Sequence, residues 1–315
     1  MGSHVFVVIP AYNERPTILS VINSVPKKIS GVKKISIVVV DDGSTDNTYQ
    51  ALSKNIYLVR HRSNRGLGRT FDRGLKYSIK HGADIVVNID GDGQFKGSEM
   101  IKLIAPILSG RADVAIGSRL KGEKKYHAAL VKKLGNMWLA RLVSTVTGRR
   151  FYDVTCGFRA YSREAAMHLN IYDKFSYTLE SLVDLAHKDL KIVEIPVTVK
   201  MRKFGKSKIS SSVFFYTIKS IAILIRDFRD YRPFHFFVLP GFFFFLLSCA
   251  GFIILLVRFI KYQVLSPYRS LLSVSFAFLA ASLFLFGLGM IFDFLNKIKK
   301  NQDDILYRLK ENEKQ

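Results

Sequence analysis

Residues 83–94 read ADIVVNIDGDGQ, an apolar run that ends on two aspartates one residue apart. The Val and Ile content and the flanking turn residues predict a buried strand over 85–89. Asp90, Asp92 and Gln94 follow just where that strand emerges. Along an extended chain alternate side chains point the same way, so Asp90 and Asp92 face one cavity. Hard carboxylate oxygens suit Mg²⁺ or Mn²⁺, and a diphosphate that such a cation would bridge. Aspartates in a glycine-rich turn also serve as loop formers or helix caps, so the rest of the chain decides between the readings.

Working outward, further strand-like runs fall at 5–9, 35–40, 56–60 and 114–116. Helix-like stretches lie between them at 16–25, 47–53, 69–81 and 98–108. This alternation predicts an α/β fold, a mostly parallel sheet covered on both faces, with ligands at the carboxyl ends of the strands. The chemically loaded segments sit at such ends. They are Pro10-Ala11-Tyr12-Asn13-Glu14, Asp41-Asp42-Gly43-Ser44-Thr45-Asp46, Asp90-Gly91-Asp92-Gly93-Gln94 and Gly117-Ser118-Arg119. A carboxylate such as Asp41 can accept from a base N–H and Tyr12 can cap a ring, while each serves equally well as a turn residue or helix cap. Asp46-Asn47-Thr48 reads as a helix start. Asn64-Arg65-Gly66-Leu67-Gly68 lacks the third glycine and the early acidic partner of a dinucleotide-binding loop, which excludes a Rossmann oxidoreductase.

The chain of 315 residues carries 48 Lys and Arg against 25 Asp and Glu, a formal charge of +23. Such a balance suits anionic lipid, phosphorylated substrates or nucleic acid. No helix-turn-helix, zinc-ligand or ribonucleoprotein motif accompanies it, which argues against nucleic acid as a partner. Residues 234–257 and 270–295 are each long and apolar enough to cross about 30 Å of hydrocarbon, and predict two transmembrane helices. Asp293, the one acidic residue in either stretch, lies near a span end where it reaches the headgroups. No signal peptide precedes the first strand, so the N-terminal part is expected to stay in the cytosol. Arg226, Arg229 and Arg232 before the hairpin and Lys297, Lys299 and Lys300 after it agree with that orientation, although Arg258, Lys261 and Arg269 in the connecting loop weaken the bias. Residues 213–231 mix apolar and basic side chains, as for a helix lying on the membrane surface or one packed on the soluble domain. Cys156 and Cys249 form no disulfide framework, consistent with a reducing compartment.

The expected organisation is therefore a cytosolic catalytic domain over 1–212, an amphipathic juxtamembrane helix over 213–232, two spans within 233–296 and a charged tail over 297–315. The protein is expected to be a multi-pass protein of the cell membrane, and the hairpin leaves homo-oligomer formation through the transmembrane region open.

The ordered set of motifs over residues 4–212 resembles the inverting family 2 glycosyltransferases, which have a nucleotide-sugar-binding GT-A fold. Within them it is most similar to the polyprenyl-phosphate glycosyltransferases, such as dolichol-phosphate mannose synthase and its bacterial glucosyl relatives. The lone tryptophan, Trp138 in Gly135-Asn136-Met137-Trp138, is not in the Gln-x-x-Arg-Trp motif of processive polysaccharide synthases. The resemblance implies a metal-dependent hexosyltransferase moving sugar from a UDP- or GDP-sugar to dolichyl or undecaprenyl phosphate, with inversion. It assigns Pro10, Tyr12, Glu14, Asp41 and Asp90 to the nucleotide donor, and Asp90, Asp92 and Gln94 to the Mg²⁺ or Mn²⁺ and to catalysis. Arg202-Lys203-Phe204-Gly205-Lys206-Ser207-Lys208 is similar to the family's phosphate-clamping loop. Arg202, Lys206, Ser207 and Lys208, with Arg119 and Lys133, are the implied phosphate contacts of the acceptor; Lys132, Arg149 and Arg150 lie in the same part of the family pattern. Asp153, in Asp153-Val154-Thr155-Cys156-Gly157, matches the third acidic motif, where it is either catalytic or an organiser of the acceptor site. Glu180 is either a helix cap or catalytic. Two alternatives stand beside this: a family 2 transferase acting on a sugar hydroxyl of a lipid-linked glycan, and a non-catalytic, membrane-anchored sugar-nucleotide-binding protein.

Overall fold

The computed structural model describes residues 2–53, 55–121, 130–171, 174, 177–200, 213–264, 266 and 268–312. The chain divides into two compact units, Met1–Leu224 with Tyr307–Gln315, and Ile225–Leu306.

The first unit is built on a seven-stranded sheet. Its strands are β1 (Ser3–Ala11), β2 (Val32–Asp41), β3 (Tyr57–Arg60), β4 (Ile85–Asn88), β5 (Val114–Ser118), β6 (Arg159–Ser162) and β7 (Ile192–Pro196). They lie in the order β3-β2-β1-β4-β6-β5-β7. Residues 5–11 of β1 are all buried, as expected of a strand covered on both faces by helices. β1 pairs in parallel with β2 and β4, and β2 with β3. The register sets Ala11 beside Asp41 and Asp41 beside Arg60, so these strands end together.

β6 was not anticipated from the sequence, and it breaks the parallel pattern by running antiparallel between β4 and β5. Its first residue, Arg159, lies opposite both Asn88 and Ile116. The segment 153–158 that leads into it therefore arrives at the sheet end where the parallel strands finish. β7 then adds in parallel to β5, with Ser118 beside Pro196.

The covering helices are α1 (Ile18–Ser24), α2 (Leu67–Lys80), α3 (Met100–Leu108), α4 (Leu130–Thr147), α5 (Arg163–His168) and α6 (Thr178–His187). Residues 47–53, expected as a helix, form a short 3₁₀ turn over Thr48–Ala51, and Asp46 accepts the Thr48 amide at 2.9 Å as a helix-start residue would. Gly74 lets α2 sit directly on the sheet, since a Cβ there would run into the Val8 side chain.

α7 (Val213–Tyr231) passes from the first unit into the second, which contains α8 (Pro233–Tyr262, 30 residues) and most of α9 (Arg269–Asn312, 44 residues). The expected spans fall within α8 and α9, and α9 continues helically through residues 297–312. Large apolar side chains on both helices face outward: Leu239 is 73% exposed, Phe284 67% and Met290 72%. A soluble core helix would bury such residues. The two helices meet through small residues, with the Ser248 hydroxyl donating to the Ser275 carbonyl at 2.8 Å.

Candidate active site

Three loops at the carboxyl ends of β1, β2 and β4 are tied to one another by short side chains. Asn13, in a left-handed conformation, donates its amide to Ser44 Oγ at 2.9 Å and accepts the Thr45 amide at 2.8 Å. Glu14 N donates to Thr48 Oγ1 at 3.0 Å, and Arg15 N to Asp46 Oδ2 at 3.0 Å. The Thr17 hydroxyl reaches Gly91 O at 2.8 Å, joining the first motif to the aspartate turn. Pro10, Glu14 and Gly91 are buried, while Tyr12, Asp90, Asp92 and Gln94 are half-buried. The expected donor residues are thus brought together.

Asp41 and its neighbour divide the work of this end of the sheet. Asp41 is fully buried, and its Oδ2 pairs with Arg60 Nε at 3.0 Å. Asp42 accepts the amides of Arg65 (2.8 Å) and Gly66 (2.9 Å) and bonds the His61 ring at 2.8 Å. It shapes the loop that leads into α2, a role the sequence reading did not assign.

The aspartate turn rests on Gly157. A Cβ at that position would lie 2.9 Å from each carboxylate oxygen of Asp90 and 3.1 Å from the Tyr177 hydroxyl. Tyr177 donates to Gly157 O at 2.9 Å and accepts from Asn88 Nδ2 at 2.6 Å. Burial, and then the charge of Asp90, push the Tyr177 pKa well above its ordinary value, so the phenol stays protonated. Asp92 Oδ1 accepts the Gln94 amide at 3.0 Å, which fixes the turn.

No cluster of three or more His, Cys, Asp or Glu side chains suited to a metal occurs among the described residues. Asp90 and Asp92 cannot enclose a cation alone. A small, hard cation held by one or two carboxylates, with diphosphate oxygens and water filling the other positions, matches what this turn offers. The residues therefore fit Mg²⁺ or Mn²⁺ shared with a diphosphate, and do not fit a closed structural site.

Across the sheet end, Asp153 has no exposed surface. Its carboxylate receives Arg119 in a two-pronged pair, Nε to Oδ2 at 2.7 Å and an Nη to Oδ1 at 2.8 Å, together with the Arg119 amide at 2.9 Å. Asn136 from α4 adds a bond to Oδ1 at 3.0 Å. Burial pushes the Asp153 pKa up, but the charge and hydrogen bonds of Arg119 outweigh it, and the carboxyl is held below its ordinary value. Asp153 is thus the buried partner of Arg119. Glu194 on β7 supports it from behind, accepting the amides of Asp153 (2.8 Å) and Tyr152 (3.1 Å). Burial raises the Glu194 pKa, with the Asp153 charge adding to the effect and the two amides opposing it. Arg159, also buried, donates to the carbonyls of Val154, Cys156 and Thr178 and so staples the motif to α6. Burial pushes the Cys156 thiol up to about 12, which keeps it an inert core group.

Lys133 is exposed on α4, one turn before Asn136. Arg149 is turned to Leu190 O, at 2.5 Å, and Arg150 lies over the Tyr152 ring at 5.1 Å. Glu180 is buried in the first turn of α6. Arg202, Lys206, Ser207 and Lys208, with the side chain of Lys132, lie outside the described residues. The approach to the basic segment is nonetheless defined. Lys200 N donates to Gln94 O at 2.9 Å and Val199 pairs with Phe95, so the chain enters that segment from the aspartate turn itself. Glu99 holds the preceding residue, accepting the Thr198 amide at 2.7 Å.

Asn136, Tyr177 and Glu194 were missed in the sequence. Asn136 lies in the very stretch read only for Trp138, and Tyr177 stands three residues before Glu180. Nothing in the local sequence marks Glu194, whose partners lie 41 and 42 residues away.

This arrangement defines a nucleotide-sugar transferase, and the comparisons with known proteins agree. The description "Glycosyl transferase family 2" matches residues 6–169, and the chain belongs to that family. Among curated relatives, it is 30% identical over 226 residues to the UDP-N-acetylglucosamine–dolichyl-phosphate N-acetylglucosaminyltransferase of Methanococcus voltae, covering 65% of this chain and 88% of that one. It is 31% identical over 225 residues to the polyprenol monophosphomannose synthase of Mycolicibacterium smegmatis, covering 65% and 81%. Among solved structures, glucosyl-3-phosphoglycerate synthase from Mycobacterium tuberculosis, in complex with Mn²⁺, UDP and glucosyl-3-phosphoglycerate, superposes with a TM-score of 0.58 at 24% identity. That match covers 72% of this chain and 80% of the other, and shows the GT-A-like fold.

Proposed function

We propose that this glycosyltransferase moves a hexose from a UDP- or GDP-sugar to a polyprenyl phosphate, with inversion, at the cytosolic face of a membrane. The observation that carries the reading is the bond from Lys200 N to Gln94 O, which holds the residue just before the basic segment 201–208 at the aspartate turn. An anionic acceptor and an anionic leaving group then meet at one sheet end. The dolichyl-phosphate and polyprenol relatives, and the outward apolar faces of α8 and α9, support a lipid acceptor whose tail dissolves in the bilayer.

In this mechanism the loops of Pro10, Tyr12, Glu14 and Asp41 hold and orient the nucleotide. Asp92, Asp90 and Gln94 would hold the cation against the sugar diphosphate. When bound, the divalent cation neutralises charge building on the diphosphate. An oxygen of the lipid phosphate forms a bond to the anomeric carbon while the bond to the diphosphate oxygen breaks on the opposite face. The nucleoside diphosphate departs and the configuration inverts. A phosphomonoester has a second pKa of roughly 6, so the nucleophile needs no base at neutral pH. Asp153, buried and held ionised by Arg119, then acts by fixing the guanidinium that meets the acceptor, with Lys133, Arg202, Lys206, Ser207 and Lys208 completing the phosphate contacts. A hydroxyl acceptor would require a base, a role this buried ion pair does not suit. The intact Asp90, Asp92 and Gln94 set argues against a non-catalytic binder.

The test is a membrane assay of purified protein with Mg²⁺ or Mn²⁺, a panel of radiolabelled UDP- and GDP-sugars, and undecaprenyl or dolichyl phosphate, following label into organic solvent. Metal-dependent lipid label that disappears in Asp92→Ala is expected. Nucleotide binding without lipid label from any donor would move the hydroxyl-acceptor transferase to first place.

A further inference from the structure

We propose a second anion site on the outer face of α2, built for a phosphoester of nucleotide or lipid-headgroup size. A cavity of about 520 Å³ opens there, lined by Arg65, Arg69, Asp72, Arg73, Lys76 and Lys174 among others. Among the described residues, none of Pro10, Tyr12, Glu14, Asp41, Asp90, Asp92, Arg119 or Asp153 lines it, so it is distinct from the donor motif.

The charge balance is what calls for an anion. Five Lys and Arg side chains face the cavity against one carboxylate, and Asp72 is already engaged by Lys76 at 2.7 Å. Arg69 and Arg73 stand four residues apart on one helical face, where like charges repel. Among the described residues, the side chains of Arg65, Arg69, Arg73 and Lys174 have no hydrogen-bonding or ion-pair partner. The buried face of α2, including Phe71, Gly74 and Leu75, is directed into the core, so packing does not require these cations.

The walls are preformed. Asp42 fixes the backbone of Arg65 through its amide at 2.8 Å. Lys174 O accepts the Gly68 amide at 3.2 Å and leaves no space for a Cβ at Gly66, whose φ is +92°. The backbone of Arg65 and that of Lys174 are thus anchored to the start of α2, which lowers the ordering cost of binding. The cavity volume falls in the range of small-molecule sites, and guanidinium forks match phosphate geometry.

The experiment uses the full chain in phosphatidylcholine nanodiscs and labelled inorganic pyrophosphate as probe, with EDTA present to strip any divalent cation from the donor motif. Saturable binding is expected to persist, and to weaken about tenfold or more in Arg69→Gln/Arg73→Gln while Arg69→Lys/Arg73→Lys retains most of it. Displacement of the probe by phosphatidylglycerol in the discs assigns the site to a lipid headgroup. Displacement by ADP but not by that lipid assigns it to a soluble phosphoester. Absence of saturable binding by the wild-type chain, or equal binding by the Gln double variant, overturns the proposal. If melting shows the double variant to be misfolded, Lys174→Gln carries the same comparison. Every readout is binding without metal, so failure here is distinct from failure of the transferase reading.

Discussion

Gly157 and Asp90 occupy adjoining space: any Cβ on Gly157 would lie 2.9 Å from both oxygens of the Asp90 carboxylate. The antiparallel strand β6 thus delivers the third motif directly against the aspartate turn. Gly157→Ala is expected to displace Asp90 and cut kcat by about a hundredfold, because small displacements of positioned groups are costly. The loss of stability should stay at about 1–3 kcal/mol. Steady-state kinetics beside thermal melting separates the two, and wild-type turnover in this variant would refute the contact.

Asp153→Asn removes the charge that neutralises Arg119 in a buried pair. A loss of about 3 kcal/mol or more is expected, read as a lower midpoint in denaturant titration. The folded-state pKa of Asp153 is depressed, so its contribution is complete above the ordinary aspartate value of about 4 and is lost as pH falls through the lower folded value. Across the neutral range the pH–rate profile should therefore contain no limb that Asp153→Asn removes. The appearance of one would make Asp153 the base.

Glu194 behaves with the opposite sign. Its folded pKa is raised, so the folded state binds more protons than the unfolded one between the two values, and stability declines as pH rises through that window. Glu194→Gln should abolish this decline and keep an oxygen for the Tyr152 and Asp153 amides. Glu194→Ala would leave both amides unsatisfied and cost about 2 kcal/mol or more. Stability curves at several pH values for the two variants decide it, and indistinguishable behaviour of Gln and Ala would count against the amide cradle.

α9 approaches α8 closely at Gly251, because a Cβ there would collide with the Ser275 hydroxyl. Gly251→Leu should lower the melting temperature of the detergent-solubilised protein, at a cost of about 1–3 kcal/mol. Gly287→Leu, where a Cβ would meet nothing within 4 Å, should be nearly neutral and serves as the control.

Much of the molecule was legible without coordinates. The runs around 5–9, 35–40 and 85–89 appear as β1, β2 and β4, and the motifs after them converge because parallel strands in register end together. β6 and β7 left a weaker signal. β6 reads Arg-Ala-Tyr-Ser and begins with a buried arginine, so its composition does not announce a strand, while the Ile- and Val-containing β7 lies beyond the alternating stretch of residues 5–116.

The amino-acid order alone determined the alternating α/β architecture, the two long apolar helices and the aspartate turn, because strand period, apolar length and turn chemistry are local properties of the backbone and its nearest side chains. Tertiary structure alone decided that Arg119 belongs to Asp153, 34 residues on, that Gly157 makes room for Asp90, and that the path to the basic segment starts at Gln94. The sequence shows which charges exist. Which of them are removed from water together, and so must pair, depends on how an antiparallel strand is inserted between two parallel ones.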